Sequence, residues 1–121
     1  MRPPRHSTNS IHTINLEAGM PLVHEALARL EGELTLARQQ RDAIVKLIHG
    51  YGSTGKGGDI RIAVQKRLRE LQDQGAIRAC IFGEDWSTSN AESWALLKRH
   101  PALKSDPHLG KQNRGITIVV L

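Results

Sequence analysis

Five glycines fall within residues 50–58, between an apolar run and a helical repeat. Residues 43–48 ahead of them are β-formers almost throughout, and Ile60, Val64, Leu68 and Leu71 beyond them recur at three- and four-residue steps. The chain therefore reads as strand, glycine loop and helix at this point. Glycine costs ~0.5–1 kcal/mol relative to alanine in regular structure, so five of them suit a backbone that something must approach closely. The start of the helix offers unpaired N–H groups and the positive end of the helix dipole, and Lys56 adds a cation. A phosphate is the ligand best matched to that combination. Gly50, Gly52, Gly55, Lys56, Gly57, Gly58 and, one turn on, Arg61 are the expected nucleic-acid or phosphate contacts.

Two nucleotide-loop patterns are nearly met. Gly50-x-x-x-x-Gly55-Lys56 lacks only the final Ser/Thr of the P-loop, and Gly57 in its place removes the hydroxyl that would hold Mg²⁺. Gly50-x-Gly52-x-x-Gly55 satisfies the dinucleotide fingerprint, but the acid about 20 residues on, Glu70, falls inside the next helix instead of at a strand end. A plain flexible connector is the third alternative, and a loop of about ten residues is long for that purpose.

With 121 residues, 39% of them hydrophobic, the chain is expected to form a single domain over residues 11–121, preceded by a mobile basic tail at 1–10. Aromatics are 3% of the chain (Tyr51, Phe82, Trp86 and Trp94), too few for a sheet that stacks successive bases. Charge is concentrated: residues 49–70 carry five Lys/Arg against two acids, and residues 98–121 carry five against one. If the two stretches share a face, they form a patch for a polyanion. The six histidines show no paired helical spacing, so no metal site is expected, and Cys80 stands alone within an apolar run as a small buried hydrophobe. No window reaches the ~18 apolar residues of a membrane span, and residues 1–10 carry no apolar leader core; a cytoplasmic chain without membrane contact is the expectation.

In order, residues 11–17 read as a first strand and Gly19 and Pro21 introduce an amphipathic helix running to about residue 40. Residues 43–49 are a second strand. Residues 59–74 form a second helix, with Asp59 as N-cap and Gly75 as its stop. Residues 76–82 are a third strand and 114–121 a fourth. Two βα units imply parallel neighbours, with the last strand free to join antiparallel. The fold class is α/β: a two-layer sandwich, β-α-β-α-β-β, with a four-stranded mixed sheet, two main helices and a helical excursion over residues 84–113. Within that excursion Ser89-Asn90-Ala91-Glu92 reads as a capping box. Trp94, Leu97 and Ala91 are expected to face inward, and Trp86 with Trp94 to pin the excursion to the body. The rival role for both tryptophans is as exposed anchors of a protein-interaction module.

The order of parts resembles the Smr domain, the small MutS-related family, over roughly residues 14–75 and again over 114–121. Three features carry the resemblance: the strand and turn Ile14-Asn15-Leu16-Glu17-Ala18-Gly19, the His-Gly-x-Gly signature at His49-Gly50-Tyr51-Gly52, and the closing strand Gly115-Ile116-Thr117-Ile118-Val119-Val120. The resemblance implies a two-layer α/β fold similar to the C-terminal domain of a bacterial translation initiation factor. It also implies nucleic acid, DNA or RNA, as partner, with endonuclease activity as the alternative because some members nick DNA or cleave RNA. This chain departs from the family's Leu-Asp-x-His-Gly: Asn15 and Glu17 stand where Asp and His are expected, and Ala18 is an extra residue. The catalytic candidates left are His49 and Glu17, and a divalent metal enters only with the nuclease alternative. His49 suits acid/base work near neutral pH, or it orients the loop through hydrogen bonds. The 84–113 excursion is longer than the short glycine-rich connection common in the family.

Overall fold

Burial along the strands decides where each one lies in the sheet. A computed structural model describes residues 11–51 and 56–121. The tail at 1–10 lies outside the described residues. The elements are β1 (His12–Asn15), α1 (Val23–Gln39), β2 (Ile44–Ile48), α2 (Lys56–Asp73), β3 (Ala79–Phe82), α3 (Ala91–Arg99) and β4 (Ile116–Val120), with 3₁₀ turns at Gly83–Asp85 and Pro101–Ser105. β2 and β4 are buried at four of five positions, whereas β1 and β3 bury one residue each. Strands covered on both faces belong in the middle, and the sheet order is β1-β2-β4-β3.

β1 runs parallel to β2, with Asn15 opposite Ile48. β4 is antiparallel to both β2 and β3. The parallel neighbours implied by the two βα units are thus realised once. β2 and β3 point the same way, but β4 takes the place between them because its Ile116, Ile118 and Val119 need cover on both faces. α2 starts at Lys56, three residues before the expected N-cap, so Asp59 lies inside the first turn, where its carboxylate opposes the helix dipole favourably.

One face of the sheet carries the two-layer body. Ala26, Leu30, Leu34 and Ala37 of α1 and Ile60, Val64, Leu68 and Leu71 of α2 pack with Ile14, Val45, Leu47 and Val119. The excursion covers the other face, where Trp86, Leu96, Leu97 and Leu103 meet Ile44, Ile81, Ile116 and Ile118. Trp86 is fully enclosed, the pin expected of it and no anchor for a partner protein. Its indole Nε1–H donates to Asp106 Oδ2 at 2.9 Å, and Asp106 Oδ1 takes a 2.7 Å ion pair from Lys46 Nζ. Lys46 is the one charged residue of β2 and points into this second core.

The inward stripe of α3 is Ser93, Leu96 and Leu97, with Ala91 and Trp94 outside it. The Ser93 hydroxyl donates to the Asp85 carbonyl at 2.8 Å and so turns its own face to the sheet. Trp94, one residue on, is rotated about 100° away, is 41% exposed, and has Lys104 Nζ 5.5 Å from its ring centre. The helix is capped by Asn90, not Ser89: Asn90 Oδ1 accepts from Ser93 N at 2.9 Å.

Candidate nucleic-acid interface

The parallel pairing of β1 and β2 brings their carboxyl ends side by side, which is where the two sequence signatures lie. Leu16 N–H donates to the Ile48 carbonyl at 2.8 Å, extending the ladder one step past β1. The β1 turn is then organised by Asn15, whose Oδ1 accepts from Glu17 N–H at 3.0 Å, the side-chain-closed turn that Asn favours. That turn directs the Glu17 carboxylate onto Gly50, close enough that a Cβ on Gly50 would collide with Glu17 Oε2. The Glu17 carboxylate could swing aside, but Gly50 has φ +75°, in the left-handed region, and it is this backbone conformation that favours glycine.

The approach to β4 fixes the other side of Gly50. The N–H groups of His49 and Gly50 both donate to the Gly115 carbonyl, at 2.9 and 3.1 Å. Gly115 is buried, and a methyl group added to it would lie 3.4 Å from Tyr51 Cδ1 and 3.5 Å from Gly50 Cα. Gly83 serves the same purpose next door, because a Cβ there would run into the carbonyl oxygens of Asn113 and Ile116.

His49 has no exposed surface. Its Nδ1 lies 2.7 Å from the Gly50 carbonyl, which can only accept, so Nδ1 carries the proton and donates. Nε2, 2.9 Å from Thr117 Oγ1, is then the acceptor of the Thr117 hydroxyl in the neutral ring. Burial pushes the imidazole pKa below its ordinary value, and the Arg61 cation adds to that lowering, against the raising effects of the Gly50 carbonyl and Glu84. In this arrangement both ring nitrogens serve the protein's own loop and strand.

Arg61 is half-buried and its Nη2 donates to Glu84 Oε2 at 2.8 Å, tying α2 to the start of the excursion. The far end of the excursion returns beside the glycine loop. There Tyr51, Lys111, Gln112, Asn113 and Arg114 line an open cleft of about 390 Å³. Asn113 Oδ1 accepts from Gly115 N–H at 2.8 Å, which anchors the cleft wall to the strand that holds Gly50.

Of the residues expected at the site, Glu17 lies against Gly50 and His49 bonds the Gly50 carbonyl, with Arg61 near enough for its charge to act on His49. Gly52 and Gly55 lie outside the described residues. Lys56, Gly57 and Gly58 form the first turn of α2. Sequence reasoning passed over Tyr51, Asn113, Gly115 and Thr117. An aromatic in the variable position of His-Gly-x-Gly was a visible signal for Tyr51, and the glycine ahead of β4 was one for Gly115; nothing local marks Thr117.

This architecture superposes on the crystal structure of the Smr domain of Thermus thermophilus MutS2 with a TM-score of 0.56, over 91% of this chain and 96% of that one, at 22% identity. The fold is Smr-like. No family model and no curated protein matches the chain. Among the described residues, no helix of this Smr-like fold is long and apolar enough to cross a membrane.

Proposed function

We propose that this Smr-like chain is a nucleic-acid-binding domain of the cytoplasm that grips DNA or RNA through its phosphates. The observation that carries the reading is that the basic end of the excursion, with Lys111 and Arg114, lines the same cleft as Tyr51, two residues past His49. Loop and helix-start amides of Gly52, Gly55, Gly57 and Gly58, with Lys56, supply further phosphate donors in this reading, while the Gly50 N–H is taken by the Gly115 carbonyl. His49 holds the loop to β4. Arg61, held by Glu84, contributes positive potential more than a direct contact. The Smr resemblance supports the same class of partner. Cleavage would need a base or metal ligand at this mouth, a role for which Glu17 is the carboxylate in place; the enclosed, neutral His49 favours binding as the primary role.

Salt dependence tests this. Contact with about three to five phosphates makes log K for duplex DNA fall with log[salt] at a slope of about −3 to −4.5. Lys111→Ala and Arg114→Ala are each expected to flatten that slope by about one. A slope near zero in the wild-type chain would sink the reading and favour a protein partner.

A further inference from the structure

We infer that the cleft beside Gly50 accepts one unpaired nucleobase, stacked on the Tyr51 ring, with Lys111 and Arg114 holding the phosphates on either side. This site rests on the nucleic-acid reading above and names the form of nucleic acid it takes.

Tyr51 is 57% exposed, although it comes two residues after a fully buried histidine and lies near a buried glycine. The wall beside it is held: the Cδ1 edge of the ring lies near Gly115, which is itself held by the Asn113 side chain and by the His49 and Gly50 amides. An exposed aromatic so placed presents π-surface to the cleft. The cleft volume, about 390 Å³, falls in the range of roughly 300–1,000 Å³ that suits a small-molecule-sized group and is far below what a duplex occupies.

The other walls match a nucleotide. Lys111 and Arg114 place a cation at each end of the turn. Between them, Gln112 and Asn113 bring side-chain amides that donate and accept, the chemistry of a base edge. Gln112 adopts φ +55°, a left-handed conformation that few non-glycine residues take, so the turn is bent sharply at the cleft. The Glu17 carboxylate lies against Gly50 and discourages phosphate there, which leaves the Lys111–Arg114 side as the backbone track. Paired bases have both faces covered by their neighbours. Only an unpaired base can offer a face to a single ring.

The test compares a short single-stranded oligonucleotide with the same strand in which abasic units replace the bases, so that the phosphates are identical. The full wild-type chain is expected to bind the base-bearing strand about 5- to 150-fold more tightly, the worth of one stacked base. Tyr51→Ala should erase that ratio, and Tyr51→Phe, which keeps the ring, should retain it. Equal affinity of the wild type for both strands would overturn the stacking site and leave phosphate binding standing. A ratio that survives Tyr51→Ala would overturn Tyr51 as the platform. No salt-dependent binding to either strand, or to duplex DNA, would remove the nucleic-acid reading together with the base site.

Discussion

His49 shows how a residue visible in sequence acquires its properties from a distant one. The sequence placed it at the end of a strand and ahead of a glycine loop, and the structure keeps it there. Its charge state follows from burial, which disfavours the imidazolium, and its Nε2 is placed by the hydroxyl of Thr117, 68 residues later. Neither is legible in the local sequence. With the folded pKa below the unfolded value of about 6.5, the unfolded chain takes up the proton first as pH falls. This contribution to stability is therefore complete above about pH 6.5 and is lost as pH drops toward the folded pKa, with a slope of at most ~1.4 kcal/mol per pH unit. Urea unfolding between about pH 7.5 and 5 should show a steeper acid-side decline for the wild type than for His49→Gln. Parallel curves would mean that His49 titrates as freely when folded as when unfolded. Glu17 teaches the converse lesson. Its neighbour Asn15 could be read from sequence as a lost carboxylate, yet its work in the turn, aiming Glu17 at Gly50, required coordinates.

At the scale of elements, the helices and strands were legible because their periods are clean: α1 and α2 bury stripes at three- and four-residue steps, as Ile60, Val64, Leu68 and Leu71 announced. The excursion was read less well. Its inward face begins at Ser93 because a serine hydroxyl found the Asp85 carbonyl, a preference that hydrophobicity alone ranks below tryptophan. Lys46 carried a signal that went unused, since a lysine in the middle of an otherwise apolar central strand calls for a buried partner. That partner, Asp106, is 60 residues away and also accepts from Trp86, so one carboxylate fastens the whole excursion to the sheet. Lys46→Met should cost about 3–5 kcal/mol, because it strands the Asp106 charge in a closed core. Adding Asp106→Asn should recover part of that loss. A double-mutant cycle in urea measures the coupling, and strictly additive losses would show that the pair does not act as a unit.

For the whole molecule, the mixed sheet and its two helices followed from pattern, whereas the insertion of β4 between β2 and β3 did not, because it depends on which strands need cover on both faces. That insertion has a functional consequence. It carries Gly115 to Gly50 and, with it, the basic end of the excursion to the mouth of the glycine loop, so residues 50 and 111–115 become one surface. We propose that nucleic acid binds on this surface. Titrating the isotope-labelled chain with a short oligonucleotide and following amide and indole NMR signals tests it directly. The amides of Gly50, Tyr51 and residues 111–115 should shift or broaden together, while the Trp94 indole and the outer face of α3 stay unchanged. Shifts centred on Trp94 and Lys104, with residues 50 and 111–115 silent, would put binding on the outer face of α3 and overturn this assignment.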